Sequence, residues 1–183
     1  MYSCRQLLLS DLETVMTFRM QPHVTKYMNT DPALTLDGQV SWYNKMKASG
    51  IFYYWAIEVE SVPCGVINLG NVDLINMRSD WGYYIADKSL RSLHLCVSLE
   101  MSLYDFAFDV LGLNKVYGES FSINHAAVKM HELCGCETDG ILRQHIFKDD
   151  KFYDVTVQSM LADRWRELRS SFDYEKIAFP VKE

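Results

Sequence analysis

Cys134 and Cys136 form a Cys-x-Cys pair, a spacing two metal-bound thiolates can use. No second pair lies at metal-ligand spacing, so no metal is expected and the two read as buried core thiols. With Cys4, Cys64 and Cys96 they make five, an odd count that points to a reducing compartment rather than a disulfide framework. Charge is spread rather than concentrated. Lys plus Arg is 18 against 24 for Asp plus Glu, a formal net charge of −6, which argues against nucleic acid as a partner. An apolar fraction of 49% with 23% charged residues excludes wholesale disorder. A chain of 183 residues fits one domain that buries enough surface to need no disulfide or metal staple. No window approaches the ~20 apolar residues of a membrane span. The run Leu7-Leu8-Leu9 before Asp11 is too short for a signal-peptide core, and the expected location is the cytoplasm.

Positioning falls to alternating helices and strands. Leu7 to Leu9 reads as a short first strand. Ser10 and Asp11 start a helix that carries Leu12, Val15, Met16 and Met20. Pro22 and Pro32 bracket a loop. Thr35 and Asp37 open a second helix, with Val40, Tyr43 and Met46, which Gly50 stops. The period then shifts to strands at 51–59, 64–69 and 81–85, an antiparallel meander. Ser89 opens the longest helical pattern, through Leu90, Leu93, Val97, Met101, Tyr104 and Phe108, and Gly112 ends it. A strand at 115–121 follows. Asn124 then starts a helix whose inward residues are Ala127, Met130 and Leu133. Residues 140–147 and 152–160 form a hairpin, 161–168 a short exposed helix, and 169–183 a tail. The long helix joins two strands as a β-α-β crossover, so those strands should be parallel neighbours. Ligands commonly bind beyond the carboxyl ends of such strands, which points just past Ile85 and Phe121.

Four segments in this order resemble the GNAT N-acetyltransferase superfamily, over about residues 3 to 165. They are Trp81-Gly82-Tyr83-Tyr84-Ile85, Arg91 to Val97, Asp105 to Val116, and Asn124 to Leu133. The stretch from Gly140 to Val155 is similar to the branch holding ribosomal-protein and nucleotide-aminosugar acetyltransferases. The run from Phe18 to Tyr43 looks like acetyltransferases of pseudaminic and legionaminic acid biosynthesis. The resemblance implies an α+β GNAT fold over residues 1–168, with a mixed sheet of about seven strands and flanking helices. It implies acetyl-CoA as donor and a small-molecule amine as acceptor, the 4-amino group of a nucleotide-linked sugar first. A homodimer is the assembly it suggests. A protein N-terminus, a polyamine, or a non-catalytic module with a degraded CoA site are the other readings.

The resemblance also distributes roles. Tyr84, Ile85, Arg91, Ser92, Leu93, His94, Leu95, Cys96, Val97, Asn124 and Ala127 would hold CoA. The amides opening the long helix would take its diphosphate. His94 and Cys96 stand where the family has glycine, so they are expected to crowd that turn. His131 occupies the position of a family tyrosine that protonates the CoA sulfur, and an imidazole is chemically able to do so near neutral pH. Arg19, Trp42, Tyr43, Trp81, Tyr83 and Tyr153 would meet the acceptor, through a cation and aromatic faces. Glu58, Asp73 and Glu119 are bases by type only.

Overall fold

The computed structural model describes residues 1–181. Seven strands, β1 (Tyr2–Gln6), β2 (Tyr53–Val59), β3 (Val62–Asp73), β4 (Arg78–Ile85), β5 (Lys115–Phe121), β6 (Glu137–Lys148) and β7 (Lys151–Leu161), form one sheet in the order β1-β2-β3-β4-β5-β7-β6. Helices α1 (Leu12–Arg19), α2 (Pro22–Thr25), α3 (Leu36–Ser49), α4 (Leu93–Asp105), α5 (His125–Leu133) and α6 (Ala162–Leu168) flank it. This is the α+β architecture expected from the sequence.

Strand alternation sorts the side chains between two cores. Ala56 and Val66 pack with Leu7, Leu12, Val15 and Tyr43 under α1 and α3. Trp55, Ile57, Ile67 and Leu69 face the opposite way, into the larger core beneath α4 and α6. The β2–β3 and β6–β7 turns each place two residues in the left-handed region, Glu60-Ser61 and Asp149-Asp150, the backbone that suits tight hairpins.

Among the described residues only the β4–β5 contact is parallel, as the crossover requires, and its register ends after Arg78↔Lys115, Ser79↔Val116 and Asp80↔Tyr117. Past Asp80 the two strands diverge. Trp81 fills the fork and lies against Gly118: a Cβ there would sit 3.4 Å from the indole Nε1, in ordinary contact.

Several elements differ from the sequence expectation. The first strand lies at Tyr2–Gln6, and Leu9–Asp11 is a 3-10 turn. Pro22 starts the short helix α2 inside the expected loop. The long helix begins at Leu93 rather than near Ser89, because Ser92 supplies the cap, and it ends in a π turn over Phe106–Val110. Leu133 is exposed, while Trp165 of the "exposed" last helix is fully buried. The expected tail also packs. Ile177 and Phe179 enter the main core. The Glu175 and Ile177 amides donate to Ser98 Oγ (3.1 Å) and Ser102 Oγ (2.9 Å) of α4. Trp55 Nε1 donates to the Pro180 carbonyl at 2.9 Å. The last two residues assigned to that tail lie outside the described range.

Candidate active site

The divergence of β4 and β5 opens a cavity of about 800 Å³, where the crossover rule puts a ligand. The end of β4, the loop before α4, and α5 with its cap contribute Tyr83, Tyr84, Ile85, Lys88, Arg91, Asn124, Ala127 and His131. The layer built by α1, α2, α3 and their connecting loop contributes Arg19, His23, Tyr27, Thr30, Gln39 and Trp42. Tyr54, Asn68, Trp81, Gly118 and Glu119 complete the wall from the sheet.

At the α4 start, Ser92 Oγ accepts the Leu95 amide at 3.1 Å. The first amides of the helix, Leu93 and His94, have no partner within it. Arg91 and Lys88 stand beside them in the wall. The side chains at the two family glycine positions do not block this turn. His94 is exposed and leans on Tyr2, with ring centroids 5.5 Å apart and Nδ1 3.4 Å from the Tyr2 hydroxyl. Cys96 and Leu95 point into the core, Val97 packs against it, and the Leu93 side chain is exposed. None of residues 92–97 is part of the cavity wall; the turn follows directly on the lining residue Arg91. Two wall cations, Lys88 and Arg91, and unpartnered helix-start amides next in the chain are the kinds of group that bind a diphosphate.

At the α5 start, Asn124 Oδ1 accepts the Ala127 amide at 3.4 Å. Two turns on, His131 stands edge-on to Trp81, with ring centroids 4.7 Å apart. Its Nδ1 lies 3.0 Å from Oε1 of Glu100. Glu100 sits mid-α4 and is 0% exposed. Its carboxylate also accepts the Tyr83 hydroxyl at 3.0 Å and the Tyr104 hydroxyl at 3.1 Å. Burial first, and then the Glu100 charge, raises both phenols well above the ordinary tyrosine value, so both remain donors. Sequence reasoning missed Glu100. The signal was present: it lies three residues after Val97 and four before Tyr104, on the apolar stripe of the helix.

In the α1–α3 layer, Arg19 Nη2 donates to the Thr30 carbonyl and hydroxyl, each at 3.2 Å. Its Nη1 is enclosed without a partner. Burial lowers the pKa of this guanidinium, against the opposing pull of Tyr84 and Asp31. Trp42 meets Tyr54 edge-on at 5.1 Å. Two expected acceptor residues lie elsewhere. Tyr43 is buried under α3, its hydroxyl donating to the Leu7 carbonyl at 3.1 Å. Tyr153 stacks on Phe121 at 5.2 Å and takes no part in the wall. Tyr43 is drawn inward because its one hydroxyl is satisfied there, whereas Tyr153, half-buried, is held away from the wall by its stacking on Phe121.

Of the three bases by type, Glu119 alone lines the cavity. Glu58 pairs with Arg5 at 2.7 Å, and Asp73 accepts amides within its own loop. Cys134 and Cys136 are buried, and burial pushes the Cys136 thiol up to about 12. Among the described residues no three His, Cys, Asp or Glu side chains converge as a metal site. No described helix is long and apolar enough to cross a membrane.

Lys148, expected only as a turn residue, is buried behind the loop that carries Tyr27 and Thr30. Its Nζ donates to the Thr25 carbonyl at 2.7 Å and the Met28 carbonyl at 3.0 Å. It also pairs with Asp31 at 2.9 Å.

Residues 4–137 match the family model described as an acetyltransferase (GNAT) domain. The Bacillus subtilis protein YdaF, provisionally named a ribosomal N-acetyltransferase, is 28% identical over 102 residues, 56% of this chain. The matched stretch spans about half of that relative, 55%. YoaA of the same organism, an uncharacterized N-acetyltransferase, is 23% identical over 167 residues, 87% of this chain and 93% of that protein. The fold is shared with spermidine N-acetyltransferase from Vibrio cholerae, solved with CoA and spermine, at a TM-score of 0.85 and 21% identity over 90% of this chain and 98% of that one. The family match runs from β1 into β6 and takes in the fork, the α4 turn and α5. This chain belongs to the GNAT acetyltransferases, enzymes that move an acetyl group from acetyl-CoA to an acceptor.

Proposed function

We propose that the acceptor is the 4-amino group of a nucleotide-linked deoxy aminosugar. The observation that carries this reading is Arg19, a guanidinium in the cavity wall that two hydrogen bonds to Thr30 hold in place. Arginine in such a place suits a phosphate or carboxylate of the acceptor. Trp42, Tyr54 and Tyr27 offer faces for a sugar or base. The wall holds Arg19, Lys88 and Arg91 but only one carboxylate, Glu119. Lys88 and Arg91 go to the donor, so Arg19 and Glu119 are the charges left for the acceptor, and a fold likeness at 21% identity does not transfer its acceptor.

The residues divide the work as follows. Arg91, Lys88 and the amides of Leu93 and His94 hold the diphosphate of the donor. Asn124 and Ala127 line its arm. Backbone amides freed where β4 leaves β5 face the carbonyl oxygen as it gains charge. His131 gives a proton to the departing sulfur. Glu119 is the carboxylate placed to take the amine proton, directly or through water.

The test mixes the protein with acetyl-CoA, a thiol reagent and one acceptor at a time: a UDP-4-amino sugar, spermidine, or a ribosomal-protein N-terminal peptide. Free CoA should rise with the sugar nucleotide. Release with spermidine or the peptide alone would replace this acceptor with that one.

A further inference from the structure

The geometry points to Glu100 as the positioning residue for His131: its carboxylate holds the imidazole through Nδ1, which leaves Nε2 as the nitrogen that exchanges protons with the reacting atoms. This inference rests on His131 as the acid for the sulfur.

A carboxylate in the middle of a core helix is costly unless its oxygens are satisfied. Glu100 meets that condition with three donors from three elements. Tyr83 comes from β4, Tyr104 from α4 and His131 from α5. A carboxylate that accepts two phenol protons has only an acceptor role left for the imidazole, so Nδ1 carries hydrogen. The other groups around it are thiols. Cys136 Sγ lies 3.1 Å from the Tyr104 hydroxyl, and burial keeps Cys96, Cys134 and Cys136 protonated. Among the described residues His131 is the one cationic-capable side chain hydrogen-bonded to Glu100; Arg91 and Arg164 act on the neighbouring thiols Cys96 and Cys136.

The arrangement also fixes direction. The His131 side chain is 12% exposed, and the residue belongs to the cavity wall. Trp81 stands edge-on against its ring. With Nδ1 tied inward to Glu100, Nε2 is the ring nitrogen left for the cavity. In the step served, the carbon–sulfur bond of the tetrahedral intermediate breaks and its electron pair goes to sulfur. The Nε2 proton of the imidazolium moves to sulfur to give the thiol, leaving the neutral ring with hydrogen on Nδ1. The surplus amine proton goes to Glu119, directly or through water, and the imidazole regains a proton from water.

The test uses the full chain with ¹⁵N-labelled histidine. In the wild type, the neutral His131 ring should show hydrogen on Nδ1, and Glu100→Gln should mix the tautomers. The same variant should lose roughly 10²-fold in kcat, with KM for acetyl-CoA within about twofold. Glu100→Asp should recover part of the loss. A neutral wild-type ring with hydrogen on Nε2 overturns the proposal, and that measurement needs no variant to fold. So does unchanged kcat in Glu100→Gln while His131→Ala is impaired, which leaves the acid reading standing. Full kcat in His131→Ala fails the acid reading itself, and the proposal falls with its premise.

Discussion

Replacing Lys148 with methionine keeps the aliphatic stem and removes one buried ammonium. In the native protein Nζ spans the Thr25 and Met28 carbonyls at 2.7 and 3.0 Å. A hydrogen bond to a charged group contributes about 1.5–3 kcal/mol. The two together would reach the upper end only if both carbonyls stayed dry. They lie at the edge of a surface loop, where water replaces part of the loss. The Asp31 contact adds little, because that side chain is 48% exposed and such pairs are screened. The expected cost is about 2–4 kcal/mol, which for a domain this size lowers Tm by roughly 5–15 °C. The kinetic effect should be one-sided. The clamped loop carries Tyr27, Met28, Asn29 and Thr30 into the wall, and Thr30 in turn holds Arg19. Slackening it should raise KM for the acceptor about tenfold, equivalent to about 1.4 kcal/mol, and leave KM for acetyl-CoA nearly unchanged. Differential scanning fluorimetry and steady-state kinetics read the two effects. A Tm within about 2 °C of wild type, or an equal rise in both KM values, would refute the reasoning.

His131→Ala should lower kcat by about 10²-fold or more while calorimetry shows acetyl-CoA affinity unchanged; equal losses in both would make the residue a packing element. Phe179→Ala should cost about 3–5 kcal/mol, because the ring is 6% exposed and meets Trp55 at 4.8 Å; urea denaturation measures it, and a loss under about 1 kcal/mol would return residues 169–181 to the status of a tail. The Lys148 hydrogen bond holds the Asp31 carboxyl below the usual range. Its contribution is therefore present above the unfolded carboxylate value near 4 and is lost as pH falls through the lower folded value. The Tm gap between wild type and Asp31→Asn should be flat from about pH 6 to 8, shrink below about pH 4, and narrow with added salt; a gap that grows in acid would reverse the sign.

The sheet and most helices were legible because their signals are local. Gly50 and Gly112 sit in the left-handed backbone that ends a helix, and the β2–β7 strands show alternation or β-branched runs. The parallel pairing of β4 with β5 followed from connection handedness alone. What escaped was decided by contacts far apart in the chain. Residues 172–181 contain no periodic element, yet two serine hydroxyls on α4 accept their amides and two aromatic rings cover Phe179. Tyr43 and Trp42 are neighbours of the same chemical kind. Which of them faced the cavity depended on how α3 is rotated against the sheet, and that rotation is set by packing. His94 could be counted from sequence, but its turn toward Tyr2 needed the position of β1. Glu100 and Lys148 are the sharper misses, since both are charged residues whose burial depends on donors or acceptors supplied by other elements.

The indole wedged into the fork has a practical use. Two of the four tryptophans, Trp55 and Trp165, are sealed in the main core. The other two, Trp42 and Trp81, stand in the cavity wall. Intrinsic fluorescence of this protein thus divides into a silent pair and a reporting pair, and removing Trp42 by substitution would leave emission changes on titration to the single ring beside His131. A ligand entering between the diverging strands would announce itself optically, without a dye, a label or turnover.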